Sequence, residues 1–247
     1  MTNPQTSFLK GRNIVWFSCG AASAVTLKMV SEELPVTALY CDTSPNEHSD
    51  NARFLADIEK WTGVKIERLR SKEFPSMDIY DVFEKVRFLK SPQGAPCTKH
   101  LKRYVREANQ YFEDVHFFGF TSDESDRIAD FELDNPSLNC RWILQEQNIS
   151  KADCFRILKD AGIKLPAMYR MGYRNNNCIG CVKGGAGYWN KIRKDFPDVF
   201  NRMAALERKL NFSLLGCFLD ELKPTAGRYK SEPDISCGPQ CKMDQAK

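Results

Sequence analysis

Residues 13–23 read NIVWFSCGAAS and join an apolar run to a turn of small residues. The run 13–17 predicts a buried strand, and a helix is expected to follow over residues 22–34. Small side chains let a backbone approach an anion closely, and a helix N-terminus adds N–H donors and a positive dipole end. The stretch therefore predicts either a phosphate-binding loop or an ordinary strand-to-helix turn.

Strand and helix patterns alternate beyond this stretch. The further predicted elements are strands at 35–40, 64–69, 115–120 and 141–144, a polar helix that includes residues 51–58, a short helix between 71 and 92, and helices that start at Thr98, Lys151 and Pro197. This alternation predicts an α/β fold with a mainly parallel sheet and helices on both faces. We expect one domain over residues 1–222, which ends in a helical segment, and a mobile cysteine-containing tail over residues 223–247.

Composition limits the class of protein. The 247 residues are 42% hydrophobic and carry a net charge of +4, which suits an anionic ligand but does not by itself indicate nucleic acid. The polar first residues predict no signal peptide, and no apolar run reaches membrane-spanning length. We therefore expect a cytoplasmic protein without membrane contact. Its 10 cysteines are then expected to be ligands, redox groups or buried hydrophobes rather than disulfides.

Polar side chains follow two of the predicted strands. Asp42 and Thr43 come directly after the second strand, and Arg127 lies in the polar segment after the fourth. Ligands of open parallel sheets bind beyond the carboxyl ends of the strands, so Asp42 and Thr43 are candidates to contact a nucleotide and Arg127 a phosphate or sulfate. A simple Asx turn or helix cap explains Asp42 and Thr43 equally well.

Three cysteines form a candidate metal site. Cys178 and Cys181 have the Cys-x-x-Cys spacing within a Gly- and Asn-rich loop, residues 172–185. Cys97 precedes a predicted helix with several cations, and this setting is expected to lower its pKa and favour thiolate. Three such thiolates suit an iron–sulfur cluster or a zinc ion.

The helix that starts at Thr98 has two predicted faces. Its apolar face comprises Leu101, Tyr104, Val105, Ala108 and Tyr111. Its basic face comprises Lys99, Lys102, Arg103 and Arg106. The basic face is expected to be solvated.

Two more cysteines, Cys237 and Cys241, lie in the tail and are not explained by core packing. They could complete a four-cysteine zinc site with the Cys-x-x-Cys pair. Most of the remaining cysteines are expected to be small buried hydrophobes; these are Cys19, Cys41, Cys140, Cys154 and Cys217.

These motifs together resemble the phosphoadenylyl-sulfate and adenylyl-sulfate reductase family, within the PP-loop (adenine nucleotide α-hydrolase-like) proteins. The resemblance covers about residues 13–181. The segment 119–127 resembles the family's Gly-x-x-x-x-Glu-Ser-x-x-Arg, and Gly172 to Cys181 resembles its Gly-Tyr…Cys-x-x-Cys. Positions that match the nucleotide-binding motifs are Ser18, Cys19, Gly20, Ala21, Ser23, Asp42 and Thr43.

The resemblance implies a [4Fe-4S] cluster on Cys97, Cys178 and Cys181, near the sulfate of the substrate. Thr98 stands where cluster-bearing members have a second cysteine. The fourth position could be filled by Cys237, Cys241 or Cys140, or stay open. Related tRNA-thiolating enzymes have three-cysteine clusters with an open iron, so thiolation of tRNA or DNA is an alternative function.

A second departure concerns the substrate. PP-loop enzymes that cleave ATP carry an acidic residue just before the last serine of the loop, whereas this chain has Ala22. Members that act on a preformed adenylyl sulfate commonly lack that acid, so the resemblance favours adenylyl sulfate over ATP.

The resemblance also implies catalytic residues. Cys237, the cysteine of the tail's Cys-Gly pair, would attack the sulfate sulfur, while Lys102 and Arg127 would offset the charge of the anion. A thioredoxin-like protein would supply electrons. A tail disulfide or a tail metal pair competes with this role, and a zinc-stabilised, non-catalytic nucleotide-binding module is a third hypothesis. The sequence leaves nucleic-acid binding and assembly into a homo-oligomer open.

Overall fold

A computed structural model describes residues 11–92, 94–235 and residue 237. Its strands are β1 Asn13–Phe17, β2 Thr37–Cys41, β3 Ile66–Leu69, β4 Val115–Phe118 and β5 Asn139–Arg141. Within the described residues they form one parallel sheet of 5 strands in the order β3-β2-β1-β4-β5. The predicted α/β fold with a parallel sheet is confirmed.

The direction of the strand order reverses between β1 and β4, which are hydrogen-bonded neighbours. In open α/β sheets a crevice forms beyond the strand ends at such a reversal, and ligands bind there. The segments that leave β1 and β4 at this point are the Ser18 turn and the stretch from Gly119 onward. The fold therefore sets the predicted phosphate loop at the place where a ligand is expected.

Strand β1 is apolar throughout because both of its faces are covered. Val15 and Phe17 belong to one buried cluster, whereas Ile14 and Trp16 belong to another that includes Phe131. Alternate residues of a strand point to opposite faces, so the two clusters lie on opposite sides of the sheet. A continuous apolar run is typical of a strand in this setting.

The helices take up the connections between the strands and the C-terminal part of the chain. Their bounds are α1 Ala21–Glu33, α2 Asn51–Thr62, α3 Ile79–Val86, α4 Pro96–Thr98, α5 Tyr104–Glu107, α6 Ser125–Asp134, α7 Ile143–Glu146, α8 Lys151–Asp160, α9 Ala167–Arg170, α10 Ala186–Asp195 and α11 Pro197–Leu210. None of the helices in the described ranges is long and apolar enough to cross a membrane.

The helix predicted from Thr98 is interrupted by a π-helical turn, Lys99–Arg103, between α4 and α5. The wider turn shifts the angular position of the later residues, so the predicted apolar face is buried at Leu101 and Val105 but not along its whole length. Arg106 is 1% exposed instead of solvated, whereas Tyr104 and Tyr111 of the predicted apolar face are 40% and 64% exposed.

Two further local predictions need correction. The strand expected at residues 141–144 is a strand that ends at Arg141, followed by the short helix α7. Helix α10 was not predicted, because it directly follows the glycine pair Gly184 and Gly185, which indicates a loop.

The C-terminal helices build a separate buried cluster. Residues of α3, α10 and α11 pack together with Cys181 and Val182, while Cys97 packs against their edge. The Cys-x-x-Cys loop is therefore part of a packed core rather than a free surface loop. The division into residues 1–222 and a tail stays a prediction.

Candidate functional site

The turn after β1 has the compact form that a phosphate loop needs. The Ser23 hydroxyl accepts the Ser18 N–H at 3.1 Å and donates to the Gly20 carbonyl at 3.0 Å. Cys19 has a φ of 54°, a left-handed conformation that closes the turn. A Cβ at Gly119 would lie 2.5 Å from the Ser23 nitrogen, so glycine permits β4 to approach the start of α1.

This turn is connected to the Cys-x-x-Cys loop through Asn176. The Asn176 amide donates to the Cys19 carbonyl and to the Asn51 side chain, both at 2.8 Å. Its Oδ1 is buried and has no hydrogen-bond partner among the described residues. The Tyr169 hydroxyl accepts the N–H of Ala21, at the first residue of α1. The predicted phosphate loop and the cysteine loop thus form one hydrogen-bonded unit.

Asp42 and Thr43 lie at the end of β2 as predicted, and both are buried. Asp42 pairs with Arg70 at 3.1 Å, and the Thr43 hydroxyl donates to Glu47 at 2.6 Å. These contacts already engage both polar groups. A direct contact with a nucleotide would therefore require them to exchange partners.

The Cys181 thiol lies close enough to those of Cys97 and Cys178 for its charge to affect their ionisation. Burial raises the pKa of all three, and that of Cys181 rises to about 12. The expectation that neighbouring cations lower the pKa of Cys97 was wrong, because burial and the adjacent thiols outweigh Lys102 and Lys183. Without a bound cation the three thiols favour the protonated form.

Cys237 of the tail reaches this group of thiols. Its sulfur accepts a hydrogen bond from the Lys102 ammonium at 3.6 Å and lies 3.9 Å from the Thr98 hydroxyl. Burial opposes ionisation, but attraction to Lys102 and Lys183 outweighs it and lowers the pKa of Cys237. Of the thiols discussed, Cys237 is therefore the one whose surroundings favour the nucleophilic thiolate. Its neighbour Gly238 and the second tail cysteine, Cys241, lie outside the described residues.

Lys102 is held in the ammonium form by anionic surroundings. Burial alone would lower its pKa, but attraction to the Cys237 thiolate and the Glu47 carboxylate raises it well above its ordinary value. Glu47 is fixed in place, since its carboxylate also accepts the Tyr40 hydroxyl at 2.7 Å. The Lys102 ammonium is thus stabilised by both Cys237 and Glu47.

Arg127 lines a cleft of about 720 Å³. Its guanidinium pairs with Glu124 and lies over the Phe120 ring. Lys90 and Lys183 also line the cleft, together with tail residues 232–235. The cleft therefore combines aromatic rings with charged side chains of both signs, because Asp130, Asp134 and Asp234 also line it.

The structure brings together most, but not all, of the predicted site residues. Cys97, Cys178, Cys181, Lys102 and Cys237 converge at one place. Ser18, Cys19, Gly20, Ala21 and Ser23 are joined to that place through Asn176, whereas Arg127 lies in the cleft crossed by the tail.

Cys140, one candidate for the fourth cluster ligand, packs instead against the aromatic cluster of the sheet.

The donor atoms at this place are of the kind that binds a metal. Four thiols that affect one another's ionisation have the chemistry of an iron–sulfur or zinc site. Within the described residues, however, no three His, Cys, Asp or Glu side chains are arranged so that they could hold a metal ion. The type of donor fits a thiolate-bound metal, and the sulfurs would have to move closer together to bind it.

Several residues at the site were not predicted as functional. They are Glu47, Tyr169, Asn176 and Lys183. Lys183 follows the Cys-x-x-Cys pair closely in the sequence and could have been found from that position. Asn176 could not be distinguished from its neighbours Asn175 and Asn177, because only the folded chain shows which one reaches the phosphate loop.

No family model matches the chain, and a search of curated proteins finds no match.

Proposed function

We propose that the chain is an iron–sulfur oxidoreductase that binds an adenylyl sulfate-type nucleotide and reduces its sulfate to sulfite. The observation that supports this most strongly is the contact of the Cys237 sulfur with the Lys102 ammonium, beside Cys97, Cys178 and Cys181. A thiolate paired with a buried cation is an activated nucleophile. The compact turn at Ser18–Ser23 is the candidate phosphate site.

In the proposed reaction the Cys237 thiolate attacks the sulfur of the sulfate group. A sulfur–sulfur bond forms, and the bond from sulfur to the bridging phosphate oxygen breaks. The adenine nucleotide leaves with the bonding electron pair. Lys102 and Arg127 offset the negative charge of the sulfate and of the leaving phosphate.

The resulting thiosulfonate on Cys237 needs two electrons to release sulfite. A dithiol protein of the thioredoxin type supplies them: one of its thiols attacks the Cys237 sulfur and displaces sulfite. Its second thiol then frees Cys237 and leaves the donor as a disulfide. Cys97, Cys178 and Cys181 would hold the [4Fe-4S] cluster, which would supply a Lewis-acidic centre beside the sulfate.

The test is release of sulfite from adenylyl sulfate by anaerobically purified protein, with thioredoxin, thioredoxin reductase and NADPH. Omission of thioredoxin is the control, and 3′-phosphorylated adenylyl sulfate is assayed in parallel. We expect sulfite from at least one of the two nucleotides, and only with the donor present. No sulfite from either nucleotide, together with ATP turnover in the presence of tRNA or DNA, would replace this proposal by the thiolation alternative.

A further inference from the structure

The N-terminus of α10 is occupied by a carboxylate from the tail. Glu232 accepts the Gly187 N–H through Oε1 at 2.5 Å and the Tyr188 N–H through Oε2 at 3.0 Å. The first N–H groups of a helix lack partners within the helix, and the positive end of the dipole attracts an anion. A single side chain far along the chain thus satisfies two of these donors.

Glycines allow the tail to lie directly on the start of this helix. A Cβ at Gly185 would lie 2.7 Å from the Glu232 carboxyl carbon, and one at Gly187 would lie 2.4 Å from the Tyr229 nitrogen. Such approaches are shorter than side chains tolerate. The glycine-rich start of α10 is therefore shaped to receive this segment of the tail.

The same segment is fastened to the cysteine loop. Arg174 donates to the Tyr229 carbonyl at 3.0 Å and to the Glu232 carbonyl, and it pairs with Asp234 at 3.1 Å. The Asn177 amide donates to the Ile235 carbonyl at 3.0 Å. These contacts guide the chain across the cleft toward Cys237.

We propose that Glu232 is a positioning residue, whose carboxylate latches the tail at the N-terminus of α10 and so keeps the Cys237 sulfur beside Lys102. The backbone contacts of Arg174 and Asn177 set the direction of the segment, and Glu232 provides its charged anchor. The importance of the latch for turnover rests on the proposed function. The position of the thiol can be measured without turnover.

The experiment compares the rate at which iodoacetamide alkylates Cys237 in wild type, Glu232→Ala and Glu232→Gln, with each cysteine followed by peptide mass mapping. Removal of a helix cap shifts the equilibrium between the docked and the detached tail by roughly tenfold. Cys237 should therefore be alkylated about tenfold faster in Glu232→Ala. Glu232→Gln keeps an acceptor oxygen and should restore part of the protection. Glu221→Ala is the matched control, because Glu221 pairs with Arg208 and accepts the Phe218 N–H instead of the N–H groups of α10.

Faster alkylation confined to Cys237, with partial rescue by glutamine, supports the latch. An unchanged rate at Cys237 overturns it. A uniform increase at all cysteines also overturns it, because Glu232 would then stabilise the fold as a whole. The two proposals can fail separately. If wild type releases no sulfite but Cys237 is selectively alkylated in Glu232→Ala, the proposed function is rejected and the role of Glu232 in positioning the tail is retained.

Discussion

The Lys102 ammonium lies 3.6 Å from the Cys237 sulfur, so a cation from the interrupted helix meets a thiol from the tail. The two residues belong to segments far apart in the sequence. Each changes the ionisation of the other: Lys102 lowers the pKa of Cys237, and Cys237 raises that of Lys102. This pair is the centre of the proposed chemistry.

Removal of the cation should weaken the nucleophile. In Lys102→Met the pKa of Cys237 should rise, because burial would then oppose ionisation with less compensation. We expect sulfite release at pH 7 to fall by roughly tenfold or more, since one pKa unit changes the thiolate fraction tenfold. Lys102→Arg keeps the charge and is the matched control. Equal rates in Lys102→Met and wild type would exclude this role for Lys102.

The three loop and helix thiols should determine the metal content. Replacement of Cys97, Cys178 or Cys181 by serine is expected to abolish bound iron and sulfide, together with absorption at about 400 nm. Cys217→Ser is the control: Cys217 packs against the same buried cluster as Cys97, so an unchanged iron content would show that the loss is specific to the three proposed ligands. Stoichiometric zinc without iron in wild type would contradict the cluster and favour the zinc-stabilised module.

His116 should make stability depend on pH in a defined range. It is fully buried and accepts the Trp16 indole N–H at 3.1 Å; burial lowers its pKa to about 4. The ordinary histidine pKa is about 6.5, so the unfolded chain takes up the proton first as the pH falls. The contribution of the neutral, buried His116 to the free energy of unfolding is therefore complete above pH 6.5, the ordinary histidine pKa. It is lost progressively as the pH falls from 6.5 toward 4.

The corresponding measurement is urea unfolding of wild type and His116→Asn at pH 7.5 and pH 5. Asparagine retains an acceptor for Trp16 but does not titrate. Wild type should lose about 2 kcal/mol more unfolding free energy than the variant between these two pH values. An equal loss in both proteins would show that His116 does not titrate as its burial requires.

Much of the fold was predictable from the sequence, because it follows from local patterns. The run 13–17 and its small-residue turn predicted β1 and the start of α1 almost to the residue. The burial of Arg106 could not be predicted from regular helical spacing. A π-helical turn precedes this residue and changes the face of the helix on which it lies.

The types of residue at the site could be predicted from the sequence, but the contacts between distant segments could not. Cys178 and Cys181 were chosen from their spacing, and Cys97 from its place before a helix with several cations. Asn176 and Glu232 could not be chosen in this way, since each acts on a segment distant in sequence. Their roles depend on the packed arrangement of the cysteine loop, α10 and the tail.

The most direct test of the central claim is mass spectrometry of the protein after incubation with adenylyl sulfate in the absence of a reductant. We expect the peptide with Cys237 to gain the mass of one SO₃ group and thioredoxin to remove it, and we expect Cys237→Ser to form no adduct but to retain its metal. An adduct on no cysteine or on a different one, or loss of the metal from Cys237→Ser, would contradict the assignment of Cys237 as the nucleophile.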